Sequence, residues 1–314
     1  MNSKPSFTLI ELLVVIAIVG ILAGVVMVYI DGATEKARIA KVKVFANSVR
    51  DATSLNLISE WKFDGSGVAD GNAINSSYMK DTWGSNNLSV SGNVYVASGQ
   101  NCVSDSCISM SDASSFTSAT SVDFNPGTTG SITVEGWVLA KDYTYPRTRF
   151  PIGNYANVAS GLSSWGVDSG YNANGTNIIF SDGTNRASGT ITSDVGYKPS
   201  DTQNKWTHMV VVFDRDMGKA YAYINGVKQF GFTNISSVTG SVSVSSTSQL
   251  NVGNTGGWVI YGSVDNIRIY KSVIPQAIIR QNYLAGVKNL LAKKIINQES
   301  YNQRLAKLNN FCIK

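Results

Sequence analysis

Residues 206–230 read WTHMVVVFDRDMGKAYAYINGVKQF and contain the clearest strand and turn signals of the chain. Two runs of β-branched and aromatic residues, 206–213 and 220–224, predict neighbouring strands. Asn225 and Gly226 follow the second run and precede a third. An Asn-Gly pair between two strands is typical of a type I′ turn, because both residues tolerate a positive φ. The stretch therefore predicts antiparallel strands joined by tight connections.

Similar runs occur on both sides of this stretch, between about residues 60 and 270. Gly, Ser, Asn and Thr predominate there, and short β-branched or aromatic segments alternate with turn residues. The further predicted strands are Ser131–Leu139, Gly240–Val244 and Val264–Tyr270. Such a pattern indicates an antiparallel β-sandwich, for which a region of about 210 residues supplies an adequate core.

The sequence of this region contains no evident set of catalytic residues, and we expect that the protein is not an enzyme. His208 is the one His of the chain, and strand alternation places it on the same face as Trp206 and Val210, which predicts a packed side chain. Glycosidases use paired carboxylates. The predicted sandwich contains only Glu60 and Glu135 as Glu residues, and they do not lie on one strand.

Several motifs of the β region, taken in their order, resemble the laminin G-like or concanavalin A-like jelly roll. The resemblance implies a jelly-roll domain over residues 60–285. The motifs are Trp61–Asp64, Lys80–Asn87, Ser131–Val138, Trp206–Asp214, Tyr221–Gly226, Gly262–Tyr270 and Pro275–Arg280.

This resemblance also implies two kinds of ligand. One is a structural Ca²⁺ held by Asp side chains, for which Asp81 and Asp265 are the matching positions and Asp64 is the third; the alternative is that these residues cap turns. The other is a glycan stacked on loop aromatics, although jelly-roll loops also carry aromatics without a ligand. The candidate aromatics are Tyr143, Tyr145, Trp165, Tyr171 and Trp258.

The N-terminal region has a helical pattern instead. Residues 12–30 read LLVVIAIVGILAGVVMVYI and contain no charge. At about 1.5 Å per residue, this run nearly crosses a hydrocarbon core of ~30 Å, so we expect a transmembrane segment. Apolar and small residues continue at helical spacing, which predicts one helix over 7–59. Glu11 opens the apolar run, where an ionised carboxylate is costly unless it is paired.

Residues 4–18, KPSFTLIELLVVIAI, resemble the class III signal of type IV pilins and of type II secretion pseudopilins. The resemblance implies that residues 1–6 are a leader, that prepilin peptidase cuts between Ser6 and Phe7, and that Phe7 is then N-methylated. It also implies that Glu11 neutralises the N-terminal amine of a neighbouring subunit during assembly. The family usually has Gly where this chain has Ser6.

Together these patterns predict an α+β chain with a long N-terminal helix, a jelly roll and a helical tail. The expected function is that of a structural subunit of a type IV pilus-like filament, anchored in the inner membrane before assembly and extracellular afterwards. The expected partners are copies of itself or related pilins, the peptidase and assembly machinery, and membrane lipid. The alternatives are a carbohydrate-binding minor pilin or adhesin, and a pseudopilin of a type II secretion system.

The cysteines, the charge distribution and the C-terminal tail are consistent with an exported protein. An exported domain allows a disulfide between Cys102 and Cys107, with Cys312 left over. Residues 286–314 have the apolar spacing of an amphipathic helix, which packs on the stem or sandwich or binds lipid or a neighbour. The formal charge of +5 is concentrated in this tail and in residues 36–50. That distribution suits a membrane surface, and we expect no nucleic acid partner.

Overall fold

The structure of the protein is a computed structural model. Ser6, Phe7 and Cys312 lie outside the residues that it describes. The described residues are 9–22, 37, 40–42, 44–45, 48, 54–64, 71–74, 79–92, 94–98, 101–110, 115–118, 122–141, 147–148, 151–153, 162–169, 175–192, 202–243, 249–255 and 258–310.

The N-terminal region is helical where it is described. Residues 9–22 form helix α1, whose apolar side chains are largely exposed, and the described positions between 37 and 48 are helical as well. The single helix predicted over 7–59 is not confirmed, because residues 23–36 lie outside the described part. Before the predicted end the chain already forms a 3₁₀ turn at Ser54–Asn56.

None of the helices in the described part of the chain is long and apolar enough to cross a membrane.

The β region forms the predicted antiparallel sandwich. In chain order the strands are β1 (Leu57–Trp61), β2 (Leu88–Ser91), β3 (Val94–Ser98), β4 (Ser106–Met110), β5 (Ser115–Ser118), β6 (Ile132–Ala140), β7 (Arg147–Thr148), β8 (Ile152–Gly153), β9 (Ser163–Ser169), β10 (Gly175–Asp182), β11 (Arg186–Thr192), β12 (Thr207–Asp214), β13 (Lys219–Ile224), β14 (Val227–Asn234), β15 (Asn251–Val252), β16 (Asn254–Thr255), β17 (Trp258–Ile260) and β18 (Gly262–Tyr270).

Two large sheets face each other. Over the described residues, the first sheet has the order β14-β13-β12-β6-β18-β4-β3, with β1 also paired to β18, and the second has the order β11-β10-β9-β8-β15-β5-β2. A third, small sheet has the order β16-β17-β7 and includes one parallel pair, β7 with β17. The first sheet carries the candidate site described below.

The central residues of β12, Met209 to Phe213, are all apolar because both faces of the strand are covered. Met209 and Val211 face the second sheet and belong to the main core, as strand alternation requires. Val210 and Val212 face the other way and are buried in a second cluster on the outer face of the sheet. Both faces of β12 are covered, so the strand has no polar side facing water.

The predicted hairpin between β13 and β14 is confirmed. Asn225 and Gly226 have φ values of 52° and 76°, as a type I′ turn requires. The backbone N–H of Asn225 donates to the carbonyl oxygen of His208 at 2.8 Å, and its side-chain oxygen accepts the N–H of His208 at 3.0 Å. The turn is therefore fastened to the start of the neighbouring strand.

Some predicted element boundaries differ from the observed ones. β1 starts at Leu57, before the predicted start of the domain at residue 60, and it ends at Trp61 because Phe63 takes a positive φ of 61°. The strand predicted over Gly240–Val244 is reduced to an isolated bridge between Val242 and Gly127.

The C-terminal residues form two helices that cover the outer face of the first sheet. Helix α2 spans Gln276–Ala292 and helix α3 spans Gln298–Asn310. Their buried side chains form one cluster with aromatic residues of the sheet, so the packing of the tail on the sandwich is observed. The predicted boundary at 285/286 falls inside α2. The ammonium of Lys288 on α2 also lies 4.0 Å from the ring centroid of Phe45.

The close contact of α2 with the sheet at Gly286 predicts an effect of substitution there. A Cβ at this position would lie 2.2 Å from Cζ2 of Trp137. We expect Gly286→Ala to lower the free energy of unfolding by about 1–3 kcal/mol through overpacking, although Ala is the better helix former. Urea unfolding measures this, with the exposed Gln281→Ala as control. A stabilised Gly286→Ala variant would contradict the close packing.

Candidate functional site

Glu135 lies at the centre of a buried polar network on the outer face of the first sheet. Its Oε1 lies 2.8 Å from Nε2 of His208, and its Oε2 accepts hydrogen bonds from the Tyr270 hydroxyl at 2.8 Å and from Nδ2 of Asn282 at 2.9 Å. Burial alone would raise the pKa of Glu135, but the hydrogen bond and charge of His208, together with Arg268, hold it below its ordinary value.

His208 is buried and packs between aromatic rings, so the predicted structural role of this residue is confirmed. Its ring centroid lies 5.0 Å from that of Trp137 and 5.9 Å from that of Tyr283. Both Glu135 and His208 are fully buried. A substrate therefore has no access to this acid and base, and the pair serves to join β6 to β12.

Arg268 joins β1 to the centre of the sheet. Its Nε donates to Oε1 of Glu60 at 2.8 Å, and the two residues are paired across β1 and β18. The charge of Glu60 raises the pKa of Arg268 above its ordinary value, although burial acts in the opposite direction. Lys62 lies 3.9 Å from the same carboxylate. Glu60 is therefore a buried acid with two cations beside it.

Asp81 caps a turn, as the alternative interpretation of this residue predicted. Its Oδ1 accepts the backbone N–H groups of Glu60, Trp83 and Gly84 at 2.9–3.0 Å, and its Oδ2 accepts that of Asn86 at 3.1 Å. Four N–H groups point at this carboxylate. A cation at the same oxygens would face the positive ends of these N–H dipoles, so the geometry does not suit a metal ligand.

Asp265 and Asp64 lie together beside the loop that follows β3. Ser104 donates to Asp265 through its backbone N–H and its hydroxyl, both at 2.8 Å. Asp64 accepts the backbone N–H of Ser106 at 2.9 Å. Burial, and next the charge of Asp64, raise the pKa of Asp265 to about 8. Burial also raises the pKa of Asp64.

The ammonium of Lys293, just after α2, donates to the backbone carbonyl oxygens of Ser104 and Cys102. Carbonyl and carboxylate oxygens are the ligands that Ca²⁺ prefers. Here an ammonium group occupies the carbonyl oxygens and lies near the Asp265 carboxylate. Lys293 thus supplies positive charge where the resemblance placed a calcium ion.

The three predicted calcium ligands are not brought together into one site. Asp81 lies in the turn beside β1, whereas Asp64 and Asp265 adjoin the loop after β3. In the part of the chain that the structure describes, no group of three or more His, Cys, Asp or Glu side chains is placed to hold a metal ion. The residues present therefore do not fit the predicted three-Asp site.

The predicted disulfide between Cys102 and Cys107 is confirmed. The two Cα atoms are 5.4 Å apart, a normal separation for a disulfide. The bond closes the loop that carries Ser104 and Asp105. Both cysteines are buried in the cluster that includes helices α2 and α3.

Of the predicted sugar-binding aromatics, Trp165 was placed wrongly. It lies on β9 with a fully buried side chain, and its Nε1 donates to the carbonyl oxygen of Phe124 at 2.8 Å. It therefore belongs to the core and cannot stack on a sugar. Tyr143, Tyr145 and Tyr171 lie outside the described residues, as does the side chain of Trp258.

A cleft of about 240 Å³ lies between the outer face of the first sheet and helix α2. Its lining combines cations, carboxylates, amides and an indole, and includes Asp64 and Arg268. Helix α2 contributes Ala285 and Asn289, followed by Lys293. These residues recur at every fourth position, so they lie on one face of the helix. This spacing is the feature of the sequence that could have indicated the cleft.

Family models match two parts of the chain. Residues 111–280, more than half of the chain, match the concanavalin A-like lectin/glucanases superfamily. Residues 1–27 match the prokaryotic N-terminal methylation motif. These matches confirm both resemblances described above.

Solved structures show the same fold. The botulinum neurotoxin serotype G binding domain has a TM-score of 0.54 at 16% identity over 74% of this chain and 51% of that chain. The binding domain of Paraclostridial Mosquitocidal Protein 1 has a TM-score of 0.53 at 15% identity over 74% and 53%. The present chain covers about half the length of these domains. At such identity the likeness shows the fold alone.

The contacts of Lys293 predict a loss of stability on its replacement. We expect Lys293→Met to lower the free energy of unfolding by about 1.5–3 kcal/mol, because hydrogen bonds to a charged group are lost. Urea unfolding of the full chain measures this, with the exposed neighbour Lys294→Met as control. Equal stability of the two variants would show that the ammonium does not hold the loop.

Calcium remains a prediction from the sequence, and the same samples test it. Chelation removes the stabilisation that a bound ion confers by mass action. A fall in melting temperature that added calcium reverses would show the ion. An unchanged melting curve would leave Lys293 as the cation beside Asp265.

The raised pKa of Asp265 predicts a pH dependence. The folded state favours the protonated form up to about pH 8, whereas the ordinary pKa is 3.8, so this group makes the folded state less stable as the pH rises between these values. Asn cannot titrate at this position. We therefore expect the melting temperature of Asp265→Asn, relative to that of the wild type, to increase from pH 4 to pH 8. The exposed Asp216→Asn is the control, and a constant difference across the range would refute the assignment.

Proposed function

The chain belongs to the concanavalin A-like lectin/glucanases superfamily, and from this premise we propose that it is a pilin-like filament subunit that carries a lectin-like domain. The observation behind the proposal is the N-terminal methylation motif, which overlaps the exposed apolar helix α1. On this proposal, prepilin peptidase removes residues 1–6 and Phe7 becomes the methylated N-terminus. The subunit rests in the inner membrane before assembly and is extracellular afterwards.

The exposed apolar surface of α1 supports assembly through this helix. The large apolar side chains from Leu9 to Leu22 are about half exposed or more. A continuous apolar surface of this kind needs lipid or another protein to cover it. On the proposal, lipid covers the helix first and the helices of neighbouring subunits cover it in the filament.

Glu11 gives this assembly its register. It lies on α1 among the apolar side chains, and its own side chain is exposed. In the filament, we infer, its carboxylate pairs with the Phe7 amine of a neighbour. Two charges that are costly in an apolar environment then form one buried pair, whose position fixes the subunits along the axis.

Binding fits the sandwich better than catalysis. The acid–base pair of Glu135 and His208 is fully buried, and His208 Nε2 is bonded to the Glu135 carboxylate inside the fold. Carbohydrate binding is therefore the second candidate function, as in an adhesin or minor pilin. The specific observation in its favour is the polar cleft beneath α2, which is open to solvent and lined by amides and an indole.

Replacement of Glu11 tests the filament role. Removing one partner of a buried ion pair costs roughly 3–5 kcal/mol, which corresponds to a loss in assembly of about a hundredfold or more. We expect Glu11→Ala to insert into the membrane normally and to give few or no filaments. Membrane fractionation and the yield of sheared filaments measure the two steps, with the exposed Glu299→Ala as control.

N-terminal sequencing of the wild-type filament provides the second check. A mature chain that begins at methylated Phe7 is the expected result. Normal filaments from Glu11→Ala, or a mature chain that lacks α1, would overturn the proposal. If cells that lack this protein fail to secrete enzymes, and cells that make it show no visible filaments, the protein is a pseudopilin instead.

A further inference from the structure

The helical wall of the cleft beneath α2 is built by residues that the superfamily model does not include. That model ends at residue 280, whereas the helical wall of the cleft consists of Ala285, Gly286 and Asn289, followed by Lys293. The opposite wall is the outer face of β6 and β18. The cleft is thus a product of this chain's own C-terminal extension packed on a sheet of common architecture.

The charged groups of the cleft already have partners inside the protein. Arg268 pairs with Glu60, and Lys62 lies near the same carboxylate. Lys293 donates to two backbone carbonyl oxygens. Asp64 accepts a backbone N–H. A charged ligand would therefore have to compete with these internal contacts.

Some neutral polar groups of the cleft, in contrast, have no hydrogen-bond partners among the described residues. The side chains of Asn266 and Asn289 and the indole N–H of Trp137 line the cleft, and within the described part of the chain none of them makes a hydrogen bond. Two amides and an indole together offer both donors and acceptors. The unused hydrogen-bonding capacity of the cleft is therefore uncharged.

Two backbone features shape the walls of the cleft, one at Asn266 and one at Gly286. Asn266 has a left-handed φ of 49° at the point where the pairing of β18 with β6 shifts register. Such an irregularity directs a side chain away from the regular pleat. On the other wall, the absence of a Cβ at Gly286 lets α2 lie directly on the Trp137 indole. The cleft is thus formed before any ligand arrives.

We propose that this cleft binds one neutral sugar ring through Asn266, Asn289 and the indole N–H of Trp137. Adjacent hydroxyl groups both donate and accept, which matches the amides and the indole, and they bring no charge. Pockets for drug-sized ligands measure roughly 300–1,000 Å³. A cleft of about 240 Å³ therefore suits a single ring. This inference rests on the second candidate function and names its site.

The probes are the neutral monosaccharides D-glucose, D-galactose, D-mannose and L-arabinose. D-glucuronate and inorganic phosphate serve as charged comparators. Binding to the full chain is measured by saturation-transfer NMR and titration calorimetry, in a detergent without a sugar headgroup, since such a headgroup would compete. We expect at least one neutral sugar to bind and both charged probes to bind more weakly.

Two variants remove one ligand-facing amide each. Asn266→Gly keeps the left-handed backbone, and its matched control is Asn204→Gly, an exposed Asn with a similar φ of 57°. Asn289→Ala shortens a partly exposed side chain on α2, and its control is Gln281→Ala on the same helix. We expect each cleft variant to weaken sugar binding about three- to tenfold, the range for one lost hydrogen bond. The controls should bind as the wild type does.

The outcomes separate this proposal from the proposed function. Sugar binding that both cleft variants retain would place the sugar elsewhere, so that the cleft assignment falls and the adhesin function stands. No binding of any neutral sugar by the wild type would refute the cleft proposal. Tighter binding of glucuronate or phosphate would refute it as well, because the cleft would then select charge. The filament role is unaffected by all three results.

Discussion

The buried carboxylate of Glu135 holds the outer face of the first sheet together. It lies on β6 and contacts His208 on β12, Tyr270 on β18 and Asn282 on α2. A carboxylate without water must keep its partners, because breaking a buried pair costs several kcal/mol. One group therefore fixes the relative positions of three strands and a helix, and the helix cannot move away from the sheet without exposing it.

This constraint also shapes the cleft. Asn282 donates to Glu135 and lines the cleft, and Arg268 pairs with Glu60 and lines it as well. The walls are therefore held by contacts that do not involve a ligand. Rigid walls reduce the ordering cost of binding, which supports the proposed recognition of a ligand through a few neutral hydrogen bonds. The helix that completes the apolar packing on the sheet thus also forms one wall of the polar cleft.

Local signals in the sequence predicted local structure well. The Asn225–Gly226 turn was predicted because its chemistry depends on two adjacent residues, and the apolar run of β12 indicated a strand whatever covered it. Trp165 was wrongly assigned to a loop, since a single aromatic residue does not reveal which sheet buries it. The predicted calcium set failed for a similar reason: Asp81 serves its own turn, and only packing across the whole fold brings Lys293 to Asp265. The cleft depends on the same long-range packing.

The junction between the helical region and the sandwich determines how a mechanical force would be transmitted between them. The chain enters the sheet at Leu57, and among the described residues β1 pairs with β18 and with no other strand. A pull along β1 loads its backbone hydrogen bonds in shear, so they resist together instead of opening one at a time. The Glu60–Arg268 ion pair crosses the same two strands and adds a buried side-chain link. Traction on a fibre made from such subunits would thus reach each β-sandwich through a strand pair arranged to withstand it.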